Sequence, residues 1–128
     1  MDRWFWVCVA GGVGSALRYG ISLWAAERLG AWFPYGTLLV NLVGCFSIAL
    51  VMETALHVAD FPATLRLALT TGLLGGLTTY SAFNYDTAKM LEAGDYATAV
   101  ANVILTLIGC LFAGGLGTLL SRRLVAAL

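Results

Sequence analysis

The stretch that decides the fold is Gly72–Asp86, which reads GLLGGLTTYSAFNYD. It lies in a chain of 128 residues that are 60% hydrophobic and 11% charged, whereas a soluble domain carries roughly a quarter charged residues. Gly75 and Gly76 each lower helix stability by about 1 kcal/mol relative to alanine, and threonine hydroxyls compete for backbone carbonyls. The sequence therefore predicts a membrane helix that breaks at its paired glycines.

The apolar pattern predicts an all-α membrane protein with four transmembrane segments in a single domain, 1–128. The segments lie at about 4–27, 36–57, 63–92 and 96–121. The third, at about 30 residues, would make a helix of about 45 Å against a hydrocarbon core of about 30 Å. A break would account for that excess length. The connections are short, so neighbouring segments should run antiparallel.

The basic residues are divided almost evenly between the two ends of these segments. Such a weak bias does not fix orientation by the positive-inside rule, so the chain could insert either way up. Two copies of opposite orientation could then pair, which predicts a dual-topology, antiparallel homodimer. The end that holds both termini carries Arg3, Arg66, Arg122 and Arg123, and the other end carries Arg28 and Lys89, with Arg18 near it.

Small residues recur four positions apart in three of the segments. This spacing places them on one helix face and lets two helices approach closely. It favours at least a homodimer, although packing within one chain is the alternative. The residues are Ala10 and Gly14, Gly72 and Gly76, and Gly109, Ala113 and Gly117.

Several classes of protein are disfavoured. The formal net charge is zero, so no basic surface points to nucleic acid. The three cysteines are far apart, and His57 is the only histidine, which argues against a zinc site or a histidine-based catalytic centre. No phosphate loop or nucleophile motif is present, so an enzyme is not expected. Arg18 and Tyr19 follow the first apolar run where a cleaved signal would have small residues, so that run should be a retained span.

A broken segment at membrane depth has chemical consequences. Its first half presents free carbonyls, which bind cations, and its second half presents N–H groups, which favour anions. Beyond the break, Tyr80, Phe83 and Thr87 share a helix face, with Asn84 beside Tyr80. Ring edges carry partial positive charge, so a row of edges between polar donors could replace part of an anion's water shell. The alternative is an aromatic stripe that only packs.

Four further side chains are candidates for an ion pathway. Asn41 is an amide within the second span, where it needs a partner; an interhelical hydrogen bond is the alternative to a functional role. Arg18 is a permanent cation that could pair with an acidic group (Glu53 or Asp86), snorkel to the interface or attract anions. Thr106 and Cys110, four residues apart on the last span, could line a polar seam.

Three motifs, GGVGSALRYG, GTLLVNLVG and GLLGGLTTYSAF, occur in this order, and together they resemble the Fluc/CrcB family of fluoride channels over essentially the whole chain. The resemblance implies antiparallel homodimers with two fluoride pores in a lipid bilayer, as multi-pass proteins of the bacterial inner or plasma membrane. It also implies a structural sodium ion, Na+, at the dimer centre, held by backbone carbonyls that correspond to Gly75 and Thr78, two from each subunit.

The resemblance further implies pore roles for particular side chains. Asn41 and Phe83 match a pore asparagine and a pore phenylalanine, Ser81 matches a serine of the motif, and Arg18 matches an arginine at the pore vestibule. The resemblance also implies pore hydroxyls on the third and fourth segments. We expect Thr79 and Thr106 to lie beside the path and to replace part of the ion's water.

The chain departs from the family pattern at three positions. Tyr80 stands where the first pore phenylalanine is expected, Ala82 replaces a threonine, and Cys110 stands where serine is common. The expected function is a passive, fluoride-selective channel that exports cytoplasmic fluoride. The alternatives are a small dual-topology multidrug or cation exporter, which should carry a membrane-embedded Glu in its first span, and a non-conducting or heteromeric subunit.

Overall fold

The computed structural model of the chain describes residues 2–127 and contains helices and short connections, with no strand in that range. Helix α1 spans Asp2–Leu29 and helix α2 spans Tyr35–His57. The third segment has two halves: α3, residues 63–77, and α4, Tyr80–Glu92. Helix α5 spans Tyr96–Val125.

Proline and glycine set most of these boundaries. Pro34 and Pro62 stand immediately before α2 and α3, where proline's fixed φ suits a helix start. Gly30 and Gly94 follow the ends of α1 and α4 with φ of +88° and +78°, a left-handed conformation that glycine adopts at low cost and that commonly ends a helix. The helical boundaries therefore lie within a few residues of the predicted segments.

Pairwise contacts define how the helices run. Val7 of α1 faces Gly72 of α3, and Gly14, further along α1, faces Leu77, further along α3. These two helices are therefore parallel. Helices α2 and α5 are also parallel, because Leu42 faces Gly109 and Thr54 meets Ser121 at the far end of the pair.

The third segment runs opposite to α2. Thr37 bonds Asp86 and Asn41 bonds Thr79, so the contact moves backward along the third segment as α2 advances. The consecutive segments thus alternate in direction, as the short connections predicted.

Glycines bring the parallel pairs into backbone contact. A Cβ on Gly14 would meet the Leu73 carbonyl oxygen, and a Cβ on Gly117 would meet the Phe46 carbonyl oxygen. Both glycines belong to the small-residue faces identified in the sequence. These faces therefore pack within one chain and are not evidence for a homodimer. The homodimer stays a prediction that rests on the weak charge bias.

Much of the apolar surface faces outward. Helices α2 and α5 are long and apolar enough to cross a membrane, yet only 22% and 11% of their most apolar windows are buried. The core helix of a soluble protein would be mostly covered, so this exposure is consistent with a membrane protein. A count of four membrane-crossing segments stays a prediction.

Candidate functional site

The third segment is interrupted at Thr78 and Thr79, where the interruption begins two residues after the glycine pair. Both threonines are extended, with φ and ψ of −81° and 155° for Thr78 and −153° and 117° for Thr79. The prediction of a broken third segment is confirmed, but the prediction that the break lies at the glycine pair is wrong. Gly75 is helical, with φ −63° and ψ −37°, and Gly76 packs against the Gly11 backbone of α1. The paired glycines therefore accommodate α1 rather than end the helix.

Asn41 holds the break open. The Thr79 amide donates to Asn41 Oδ1 at 2.8 Å, and Asn41 Nδ2 donates to the Thr79 carbonyl at 3.1 Å. In an unbroken helix the Thr79 amide would reach the Gly75 carbonyl. The Asn41 side chain thus replaces the hydrogen-bond partners that the Thr79 backbone would have in a helix. The interhelical hydrogen bond considered for Asn41 is confirmed. Its contact with an ion stays a prediction.

Thr79 also begins α4. Its Oγ1 accepts a hydrogen bond from the Ala82 amide at 3.2 Å and lies 3.2 Å from Ser81 Oγ. This is the N-cap arrangement, which satisfies one of the free amides of the first turn. The C-terminal carbonyls of α3 and the N-terminal amides of α4 consequently meet at one place, as expected for a broken segment.

A groove of about 360 Å³, here called the Asn41 groove, adjoins the break. It brings together the two predicted sodium ligands and six of the eight predicted pathway residues. Those residues are Gly75 and Thr78, and Asn41, Thr79, Tyr80, Phe83, Thr106 and Cys110.

The two remaining pathway residues, Arg18 and Ser81, lie on the other side of the break. They line a separate groove of about 540 Å³, here called the Arg18 groove, together with Tyr19 and Tyr85. Thr79 lines both grooves, so the predicted site is divided into two compartments that meet at this residue.

The two aromatic side chains after the break differ in exposure. The Tyr80 and Phe83 ring centroids are 5.7 Å apart with a 55° interplanar angle. Phe83 is 8% exposed, whereas Tyr80 is 76% exposed. Phe83 is thus a fixed wall of the Asn41 groove, and the Tyr80 ring projects from the protomer surface.

Arg18 does not pair with either acidic residue considered for it. Its Nη1 donates to the Thr78 carbonyl at 3.4 Å. Glu53 instead binds Arg122 at 2.7 Å, and Asp86 accepts a hydrogen bond from Thr37 at 3.0 Å. A carboxylate pairing of Arg18 was therefore the wrong alternative, because both acids are held by groups closer to them.

Sequence reasoning missed Asn102, which is 1% exposed on α5. Its Nδ2 donates to Thr87 Oγ1 at 2.9 Å, and Thr87 Oγ1 donates to the Phe83 carbonyl at 2.7 Å. This chain of bonds ties α4 to α5 beside Phe83. The rule that singled out Asn41, an amide within an apolar span, would also have found Asn102.

Thr106 carries the one buried side-chain polar atom without a hydrogen-bond partner among the side chains that the structure describes, those of residues 3–127. It is 7% exposed and lines the Asn41 groove. An unpaired buried hydroxyl costs about 1–3 kcal/mol, so its presence in the groove marks a place where a polar ligand would be stabilised.

An apolar exterior, a third segment that is broken in its middle, and a groove at the break that holds several polar side chains define an all-helical membrane protein. Residues 5–118 match the family model described as CrcB-like protein, Camphor Resistance (CrcB). The chain belongs to the CrcB family.

Its relatives cover nearly the whole chain, and each of the three below bears the name fluoride-specific ion channel FluC. A protein of Sorangium cellulosum is 47% identical over 126 residues, 98% of this chain and 99% of the relative. A protein of Pelobacter propionicus is 46% identical over 118 residues, 92% and 89% of the two chains. A protein of Citrifermentans bemidjiense is 40% identical over 124 residues, 97% and 100% of the two chains.

Proposed function

We propose that this chain is a passive, fluoride-selective anion channel that exports cytoplasmic fluoride across a cell membrane, and not an enzyme. The observation that carries the proposal is identity of 40–47% to proteins named fluoride-specific ion channel over nearly the full length of both chains. The family assignment disfavours the alternative of a small multidrug exporter. The absence of any Glu before Glu27 in the first segment points the same way.

The Asn41 groove supports an anion pathway through its chemistry. Fluoride holds its water tightly, so a pore must supply donors as the ion dehydrates. Thr106 offers a hydroxyl without a protein partner, Asn41 keeps one amide hydrogen beyond the bond to Thr79, and Phe83 offers ring edges. These groups are weak, neutral donors, which suits an ion that must bind and then leave.

The Arg18 groove would serve as the entrance to this pathway. Arg18 is a permanent cation and shares its groove with the Ser81 hydroxyl. A positive charge at the mouth raises the local anion concentration. Thr79 would then pass the ion from one groove to the other.

A structural Na+ fits the chemistry of the break. Sodium is a hard cation that prefers oxygen ligands, and the Gly75 carbonyl loses its helical donor because the Thr79 amide turns to Asn41. The Thr78 carbonyl accepts a long hydrogen bond from Arg18, but a carbonyl oxygen has a second lone pair. One protomer would supply two carbonyls, so we infer that a second copy completes the site.

This inference favours the antiparallel homodimer with two pores. Gly75 and Tyr80 are both exposed in the single chain, although one would hold the cation and the other would line the pore. A second protomer in the opposite orientation would cover them. Maleimide labelling of single cysteines from each side of bacterial inner-membrane vesicles tests the orientation: dual topology predicts labelling of each terminus from both sides, and strictly one-sided labelling would contradict it.

Fluoride efflux from liposomes tests the function. Purified protein should release fluoride when a potassium ionophore balances the charge, without a proton gradient and without comparable chloride loss. Phe83→Ala should slow efflux about fivefold or more, since an aromatic contact is worth about 1 kcal/mol. Phe112, 68% exposed on α5, provides the matched control, and Phe112→Ala should conduct like the parent. Equal rates for the Phe83 variant and the parent would refute the pore assignment, and absence of fluoride release would refute the function.

A further inference from the structure

Two cysteines from different helices meet at the wall of the Asn41 groove. Cys45 lies on α2 and Cys110 on α5, and the two helices are in close contact here, since Leu42 faces Gly109 and the Cys45 carbonyl faces Gly114. Both are free thiols, both are half-buried and both line the groove. Cys8, by contrast, is exposed on α1. The α2–α5 packing thus creates a thiol pair from residues that are 65 positions apart.

An oxygen donor adjoins this thiol pair. The Thr106 hydroxyl lies one helical turn before Cys110 on α5, lines the same groove and has no hydrogen-bond partner among residues 3–127. No group of three or more His, Cys, Asp or Glu side chains that could hold a metal ion occurs within the same residues. The cluster therefore lacks the four ligands of a zinc site. Two sulfur ligands suit a soft metal ion that coordinates linearly.

We propose that Cys45 and Cys110 form a two-thiolate site for a soft divalent cation of the mercuric type, with the Thr106 hydroxyl beside it. On binding, two S–H bonds break, two S–Hg bonds form and two protons leave to solvent. No group is oxidised or reduced. The complex of one Hg2+ with two thiolates is neutral, whereas Ag+ or Cu+ would leave a net charge of −1. A neutral complex avoids the cost of a charge away from water, so the site selects Hg2+ among these ions.

The position of the site predicts its effect, which rests on the proposed function. A metal between Cys45 and Cys110 stands in the groove that also contains Asn41 and Phe83, and it would occupy the space needed by a passing anion. Mercuric ion is therefore an inhibitor that acts at a defined position inside the pathway.

A binding measurement tests the site without reference to transport. The parent is the full chain carrying Cys8→Ser, which leaves two thiols. With HgCl2, intact mass and thiol titration should show one Hg2+ per chain and both thiols protected. Adding Cys45→Ser or Cys110→Ser should weaken retention against a competing small thiol by a factor on the order of 10², since the second sulfur acts at high effective concentration. Two Hg2+ per chain, or equal retention after loss of either thiol, would overturn the proposal.

A transport measurement then tests the block. HgCl2 should inhibit fluoride efflux by the Cys8→Ser parent, an excess of small thiol should restore it, and the two single-thiol variants, each compared with its own untreated rate, should resist inhibition. Metal bound by both thiols without inhibition of a conducting parent would overturn the placement in the pathway. A parent that releases no fluoride before metal is added would refute the proposed function, while the binding result would stand.

Discussion

Replacement of Asn41 by leucine removes both hydrogen bonds that hold the break. The side chain keeps nearly the same size, but the Thr79 amide and carbonyl, now paired at 2.8 and 3.1 Å, are left without partners in a buried position. Each unsatisfied group costs about 1–3 kcal/mol, which gives about 2–6 kcal/mol for the pair. For 128 residues, 1 kcal/mol corresponds to about 4 °C in melting temperature. We therefore expect Asn41→Leu to melt about 8–24 °C below the parent.

Tryptophan fluorescence during heating measures this shift, since the chain has four tryptophans. Parent and variants are compared at one detergent and protomer concentration, because association alters apparent stability. Asn84→Leu is the matched control: Asn84 is exposed on α4, and the same substitution there should cost within about 0.5 kcal/mol. If Asn41→Leu and Asn84→Leu melt within about 2 °C of each other, Asn41 does not hold the break.

Three other perturbations address packing, the α4–α5 connection and the cation. Gly14→Ala should destabilise the protein by about 1–3 kcal/mol or more in the same melting assay, because its Cβ would overlap the facing backbone of α3. The control is Gly12→Ala, which has open space around it and should be neutral or stabilising. Asn102→Leu should cost about 1–3 kcal/mol by leaving the Thr87 hydroxyl without its donor. Replacing sodium by a large organic cation during purification should lower the melting temperature and the fluoride efflux rate together, and Thr78→Ala, which keeps the backbone carbonyl, should retain the sodium dependence.

Each of these has a result that would contradict it. Equal melting temperatures for the Gly14 and Gly12 variants would mean that α1 and α3 do not meet through backbone. Unchanged melting of Asn102→Leu would remove the proposed link between α5 and Phe83. Full activity and stability without sodium would exclude a structural role for that ion.

The ends of the helices lie close to the predicted positions because proline, glycine and chain polarity act locally. Pro34 and Pro62 precede helices, and Gly30 and Gly94 follow them. The residues that determine these helix boundaries therefore lie within a few positions of them. The excess length of the third segment was likewise sufficient to predict an interruption, since a hydrocarbon core has a fixed thickness.

The exact position of the interruption depended on residues far apart in sequence. Gly75 and Gly76 have low helix propensity, but contact with α1 keeps them helical, and the backbone leaves the helix only where Asn41 of α2 offers a replacement partner. The seven-residue π-helical stretch Ala68–Leu74 in α3 also escaped prediction. Such details depend on which faces of the helices meet, and local propensity is overridden there.

The candidate site was predicted as one set of residues and is observed as two grooves. Periodicity correctly placed Tyr80 near Phe83, but it could not tell that Arg18 and Ser81 would lie on the other side of Thr79. The Arg18 contact with the Thr78 carbonyl could not be predicted either. A long, flexible side chain has many possible partners, and the fold determines which one it contacts.

The bond pair between Asn41 and Thr79 also constrains the order of biogenesis. The second segment is synthesised before the third, so Asn41 is present before Thr79 is made. An interrupted third segment alone in lipid would present bare peptide groups to hydrocarbon, at a cost of several kcal/mol for each group. We therefore expect these two segments to enter the bilayer as one hairpin rather than one after the other.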